Sequence, residues 1–465
     1  MPLPLTHLPL ALLLASAPAD AAPAAPTRMD AYVRERMEAT DTPGLAYAVV
    51  GPEGVGHRGF FGVDGDGAPV GEHTPFLWGS VAKPVTATAA LVLAEDGRLD
   101  LDAPVEEYLP VLAEFDADPT VRDLLTQTSG ITEAVGLAVS DLYGPDAAGL
   151  DARVAVVADS EPGTPGTHEY SSGNYLVLGA VVEEVAGDFD AHLREAVLDP
   201  LGMDDAFVGA EEAGKAGLAP GHRTLWGVPV ANADGVDDTG ASYGYLGGNL
   251  AALSAFARAQ LAADPPVLDA DALARARNGT APVPGSAQEY GMGWRETALA
   301  DLGEPVVFHG GATPGYAAMV VLLPEHDRAV VVLQNAYHVL RDGQVQAVAF
   351  GLARLVAGGA PGSPGADPLY PAAVWGTTAV AAVLGAGAVA AARTRRPRPR
   401  ATVLWALPGL AAAGAAVWLV TDLGLRPALT WLPGVSVALL AAGVLGTVVT
   451  AARLLAHRRA GSSRS

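Results

Sequence analysis

Cysteine is absent from all 465 residues, so thiol nucleophiles, disulfide frameworks and thiolate zinc sites are excluded. Lysine is nearly absent too, with only Lys83 and Lys215 in the whole chain. Basic side chains are outnumbered by acidic ones, 28 to 51, and the net charge of −23 argues against nucleic acid as a partner. Only 17% of residues are charged against 50% hydrophobic, too apolar for a disordered chain, and the length exceeds one compact domain. There is no H-E-x-x-H zinc motif and no Walker loop, and the glycines of residues 62–71 lack the strand–turn–helix setting of a dinucleotide fingerprint. No metal or other cofactor is expected.

The charge is unevenly placed. From Pro371 onward there are ten Arg and one Asp, a net of +9, whereas residues 1–370 hold 18 basic and 50 acidic side chains, a net of −32. Two different solvents are implied. Residues 372–392, 401–421 and 434–452 are nearly uncharged stretches, each of about the 20 residues needed to cross a bilayer core as a helix. Arg393, Arg395, Arg396, Arg398 and Arg400 lie between the first two, and Arg453, Arg458 and Arg459 follow the third. The intervening loop has only Asp422 and Arg426. Positive loops stay cytoplasmic, so the Arg-rich loop and the C-terminus are expected inside and residues before 371 outside. The other end agrees. Leu8–Ala17 is apolar but too short to span, and Ala19-Asp20-Ala21 suits signal-peptidase cleavage, so residues 1–22 read as a signal peptide, although the first seven residues contain no Lys or Arg. Residues 361–371 read as a Gly/Pro-rich linker. The acid excess outside would suit a high-salt habitat, where screening relieves self-repulsion.

Within residues 28–360 the pattern is α+β. Met29–Thr40 reads as a helix, Leu45–Val50 and Val55–Phe61 as strands across a Gly51–Gly54 turn, and Pro305–Phe308, Ala317–Leu323 and Ala329–Gln334 as three more. A helix over Val339–Val356 follows. Between the two groups helical patterns dominate, among them Val85–Asp96, Asn174–Ala186 and Leu250–Leu261. Strands from both ends can share one antiparallel sheet flanked by helices, with the middle inserted as a mostly helical lobe. Ligand sites form at such seams.

Three clusters carry chemistry. Ser80-Val-Ala-Lys83 opens a helix before Pro84, with Ser80 suited to the N-cap. Positions i and i+3 share a helix face, so the Lys83 amine can reach the Ser80 hydroxyl. Lysine acts as a base only when desolvation holds it neutral, and the helix N-terminus offers donors to an oxyanion. A capped helix with a solvated lysine is the bland alternative. Tyr170-Ser171-Ser172 lies in a Gly/Ser-rich loop just before a helix, where a phenol could relay a proton or simply pack its ring. His309-Gly310-Gly311 ends a strand, where two glycines admit a close substrate backbone and the Ala312 N–H could join that of Ser80 in an oxyanion hole. A surface histidine at a strand end fits equally.

The order of these clusters, with Tyr170 about 90 residues after Ser80 and His309 on a late strand, resembles the serine β-lactamase and penicillin-binding-protein superfamily. The class C β-lactamase and D,D-carboxypeptidase branch is the nearer likeness. Gly97–Pro104, Leu124–Gly130, Tyr170–Tyr175, Pro200–Met203, Tyr290–Trp294 and His309–Gly315 match its habits across nearly all of residues 28–360. The resemblance implies a β-lactamase/transpeptidase-like fold, Ser80 as acylated nucleophile, Lys83 as its base and Tyr170 as proton relay to the leaving group. Ser172, His309, Gly311 and Ala312 would meet substrate or oxyanion. Ser172 stands where the family usually has Asn, His309 where many relatives have Lys, and Gln127 where His is common. Strong β-lactamase activity is thereby put in doubt, and an ester or a small D-amino-acid amide becomes as good a substrate. The expectation is a membrane-tethered extracellular serine hydrolase with a small-molecule or peptide substrate. A catalytically weak penicillin-binding or wall-fragment receptor is the alternative.

Overall fold

Alternation along one strand sets the layers. In β1 (Gly44–Gly51), Leu45, Tyr47 and Val49 face Tyr32, Val33, Val348 and Leu352, while Ala46, Ala48 and Val50 join the larger core on the other side. Tyr32 and Val33 belong to α1 (Ala25–Thr40), and Val348 and Leu352 to α6 (Asp342–Val356); the two helices cover the outer face of the sheet. The computed structural model describes residues 25–145, 147–232, 234–363, 365, 367–393 and 399–462. The expected signal peptide (1–22) and Arg395, Arg396 and Arg398 lie outside the described residues.

The other strands of this sheet are β2 (Gly54–Gly62), β3 (Ala281–Pro282), β4 (Glu289–Tyr290), β5 (Arg295–Leu299), β6 (Glu304–Thr313), β7 (Tyr316–Leu323) and β8 (Arg328–Gln334). They are ordered β2-β1-β8-β7-β6-β5-β4-β3 and antiparallel throughout, so chain ends distant in sequence meet at the β1–β8 pair, Leu45 opposite Gln334. Residues between β2 and β3 form the mostly helical lobe, with α2 (Ala82–Glu95), α3 (Glu133–Val139), α4 (Ser172–Ala186), α5 (Leu250–Ala259) and two small sheets, one of them completed by Ala336–Tyr337 from beyond β8. This is the α+β, β-lactamase/transpeptidase-like architecture anticipated from the motifs.

Three local expectations need correction. Ser80 is not a helix cap: Gly79–Val81 forms a 3-10 turn, Val81 precedes α2, and no side chain caps that end. α4 begins at Ser172, two residues before the expected Asn174, because Ser171 caps it by accepting from the Gly173 N–H. β6 does not stop at Phe308 but runs on through the two glycines to Thr313, since β7 pairs with it all the way, Thr313 opposite Tyr316.

Beyond α6, α7 (Leu369–Arg393), α8 (Pro399–Trp418) and α9 (Pro433–Ser462) follow. Over Leu369–Arg393, Thr402–Leu423 and Pro433–Ala456 they are long and apolar enough to cross a membrane. α7 takes up Leu369–Pro371 of the expected linker, which leaves residues 357–368 as the connection. Small side chains let α9 pack closely on both partners, with Ala391, Ala412, Ala442 and Val449 buried among them.

Candidate active site

Ser80 lies on its 3-10 turn against β6. A Cβ added to Gly311 would fall 2.7 Å from the amide nitrogens of Ser80 and Val81 and closer still to the Trp78 carbonyl, so only glycine permits this backbone contact. Gly79, at φ 54°, likewise abuts the Ala312 nitrogen. β5 covers β6 only from Glu304 to Phe308, so among the described residues the edge of His309–Thr313 opposite β7 has no strand partner. That open edge, Ser80 and Tyr170 border one cavity of ≈ 440 Å³, together with Ser172, His309, Gly311 and Ala312.

Lys83, the second residue of α2, is fully buried behind the serine. Its Nζ is 2.9 Å from Ser80 Oγ and 3.4 Å from Ser172 Oγ, and it donates to the Tyr243 carbonyl at 2.8 Å. The Tyr170 and Tyr175 rings close over it, centroids 5.1 and 5.7 Å away. Burial pushes the amine pKa below the ordinary lysine value; the Tyr170 phenol opposes this and Arg295 reinforces it. An amine shifted in this direction, within hydrogen-bond reach of a serine hydroxyl, is placed where a general base could act on it.

Gln127 braces the second cluster. It closes the short helix Val121–Thr126 in the left-handed region (φ 63°), and its Oε1 accepts from the Ser171 N–H at 2.9 Å and from Asn174 Nδ2 at 2.7 Å. That fixes the strand-like entry into α4, and with it Tyr170 and Ser172. The Tyr243 carbonyl is held in turn by a buried network: the Tyr243 hydroxyl donates to Asp237 Oδ2 at 2.6 Å, and Arg153 donates to both Asp237 oxygens at 2.7 and 2.8 Å.

His309 is in the cleft wall but is occupied. Nδ1 is 2.8 Å from the Gly310 carbonyl, which can only accept, so Nδ1 carries the hydrogen; Nε2 then accepts from the Tyr290 hydroxyl at 3.1 Å. Burial, with Arg295 nearby, drives its pKa well below the ordinary value, so the ring is neutral. The surface-histidine alternative fails, and so does any picture of His309 as a cationic substitute for lysine.

The cation of the cleft is Arg295, which the motif reading passed over although it directly follows Tyr290–Trp294. Its guanidinium carbon lies 4.9 Å from the Tyr170 ring centroid and 5.4 Å from that of Tyr290. Nη1 donates to Gln288 at 3.1 Å, and among the described residues no carboxylate forms an ion pair with it. In a domain this acidic and this poor in lysine, an arginine directly after the Tyr290–Trp294 motif was the available signal. Tyr290 and Tyr243 were the other residues without an assigned role.

The Beta-lactamase family model matches residues 29–355. The chain belongs to that family. Its members among the relatives differ in activity: the chain is 36% identical over 205 residues to penicillin-binding protein 4 of Amycolatopsis lactamdurans, covering 41% of this chain and 52% of that protein. It is 38% identical over 162 residues to esterase EstB of Burkholderia gladioli, covering 31% and 41%. The chain thus spans about half the length of these curated relatives. Among solved structures, a penicillin-binding protein homologue from Pyrococcus abyssi superposes with a TM-score of 0.63 at 24% identity, over 72% of this chain and 78% of that one. A class C beta-lactamase from Rhodobacter sphaeroides gives 0.58 at 22%, over 71% and 99%. A D-stereospecific amidohydrolase from Streptomyces gives 0.56 at 24%, over 66% and 94%. At these identities the superpositions speak for the fold, which is that of a family of serine hydrolases.

Proposed function

We propose that this chain is a membrane-tethered, extracytoplasmic serine hydrolase that opens an ester or amide through an acyl-enzyme on Ser80. The observation that carries the reading is the buried Lys83 amine 2.9 Å from Ser80 Oγ. As Oγ attacks the substrate carbonyl, Lys83 takes its proton, and the N–H groups of Ser80 and Ala312 hold the developing oxyanion. Tyr170, against both Lys83 and the cleft, passes the proton to the leaving amine or alcohol as its bond to carbon breaks. Water then attacks the acyl-enzyme, the same groups run the proton back, and the acid leaves. Ser172 offers Lys83 a single hydroxyl in place of an amide, and His309 is neutral. Substrate reading therefore falls to Arg295, whose free guanidinium suits a carboxylate such as a D-amino-acid peptide or β-lactam carries.

The apolar helices supply the tether. The Arg-rich stretch after α7 and the arginines towards the C-terminal end of α9 favour the cytoplasmic side for those ends, which leaves the ectodomain outside. The experiment is intact-mass analysis of the full chain in detergent after treatment with a fluorophosphonate and with penicillin. One adduct mapping to Ser80 and lost in Ser80→Ala is expected. Its rate should fall as pH drops through a pKa below that of free lysine, and Lys83→Met should slow it by about 10²–10⁴-fold. Adducts at other residues, or a rate that titrates like a free lysine, would sink the assignment; a penicillin adduct that never turns over would favour the receptor alternative.

A further inference from the structure

The cavity that holds Ser80 is not closed by the catalytic domain alone. Leu423, Trp431 and Leu432 line it too. Leu423 is the last residue of the apolar stretch Thr402–Leu423, and Leu432 immediately precedes Pro433, where the next one begins. Twenty-two helical residues rise about 33 Å, the thickness of the hydrocarbon core, so these side chains stand where a spanning helix would leave the bilayer.

This contact is built rather than incidental. Arg426, between the two stretches, donates to the carbonyls of Ser140 and Asp141 at 2.8 and 2.5 Å and of Leu137 and Ala138 at 3.3 Å each. These are carbonyls at the end of α3, which have no partners within the helix, and the positive charge sits at the favourable end of its dipole. Trp431 Nε1 donates to Asp141 Oδ2 at 2.9 Å, and its ring stands edge-on to Tyr337. Gly136, Leu137 and Ser140 of the same α3 segment also face the cavity. At a second point, Trp226 donates to Thr378 and the Gly227 N–H to the Tyr370 hydroxyl, each at 2.8 Å.

We infer that the loop between α8 and α9 is a wall of the active site, and that the site takes an amphiphile from the bilayer surface. Its hydrocarbon chain would lie along Leu423 and Leu432, and its ester or amide would reach Ser80. The inference rests on the acyl-enzyme reading above. An apolar wall at that height suits a membrane-resident substrate, which need not leave the hydrocarbon to be cut. The reaction balances as before: the acyl–oxygen or acyl–nitrogen bond breaks, the acyl group passes to Oγ, and one water releases it as the acid.

The test uses the full chain in lipid nanodiscs with p-nitrophenyl esters from acetyl to dodecanoyl. kcat/KM should be at least tenfold higher for dodecanoyl than for acetyl. That ratio should collapse to near one in Leu423→Asp and persist in Leu423→Met, with melting temperatures recorded for both variants. A ratio near one in the unchanged chain, or one insensitive to Leu423→Asp, overturns the inference and leaves the hydrolase intact. Failure to cleave any ester, with no Ser80 adduct, removes both.

Discussion

Burial sorts the basic side chains around Ser80 by charge. Lys83 and His309 are both walled off from water, and desolvation penalises their protonated forms, so each is held neutral more readily than in solution. For Lys83 this costs stability. The penalty is complete below the lowered pKa and fades as pH rises from there toward the ordinary lysine value, because only over that interval does the unfolded chain hold a proton that the folded one lacks. Arg295 brings a guanidinium, with its planar fork of donors, to the same cleft. It is half-exposed at the cleft, and its measurable consequence is selectivity. Arg295→Gln should raise KM about tenfold or more for an ester bearing a carboxylate beside the scissile bond, the loss of one charge-assisted hydrogen bond, and change a neutral ester little. Equal effects on both would assign Arg295 to packing against Tyr170 and Tyr290.

At the scale of elements, the site depends on how closely β6 and the Ser80 turn approach. Gly310 and Gly311 are neighbours in one strand with opposite duties. A Cβ at Gly310 would meet only the Gln346 amide, at 3.9 Å, whereas one at Gly311 would collide with the backbone of Trp78, Ser80 and Val81. Gly311→Ala should therefore cut kcat/KM about 100-fold or more, by displacing the nucleophile and the oxyanion donors together. Gly310→Ala should preserve both the rate and the melting temperature. Equal losses in the two variants would mean that the strand, and not the contact, is what matters. The same pair of glycines explains what the sequence concealed. Apolar runs such as Ala317–Leu323 and Ala329–Gln334 read directly as buried strands, because their side chains are packed on both faces. Gly310-Gly311 reads as a strand end, yet pairing with β7 carries the strand through. Ser80 reads as a helix cap, yet Gly79–Val81 forms a separate 3-10 turn ahead of α2, entered through the positive φ of Gly79. The chemistry was legible because i, i+3 geometry survives that change. His309 could be placed in the cleft from its motif, but its hydrogen bond to Tyr290 depends on β4 and β5 folding back, which no local pattern encodes.

Over the whole molecule, charge and hydrophobicity divide the work. With a net of −32 on residues 1–370, self-repulsion is strong at low ionic strength and is screened within about 3 Å at 1 M salt. The melting temperature of the full chain in a non-ionic detergent should climb between dilute buffer and molar sodium chloride; identical values would remove the high-salt adaptation. The buried Arg153–Asp237 pair, at 2% and 0% exposure, lies beyond the reach of such screening and should hold Tyr243 equally at either extreme. The apolar helices, by contrast, were visible from composition alone, while their contact with the cleft through Arg426 was not, because it joins residues 285 or more positions apart.

That latch, with the short connection over residues 357–368 and the ties at Tyr370 and Thr378, allows the catalytic head little swing. An enzyme on a long leash could sweep a volume for its targets. The proposed hydrolase, bolted down at two places, would work at a single altitude, and whatever it cuts would have to be delivered to that level or already live there.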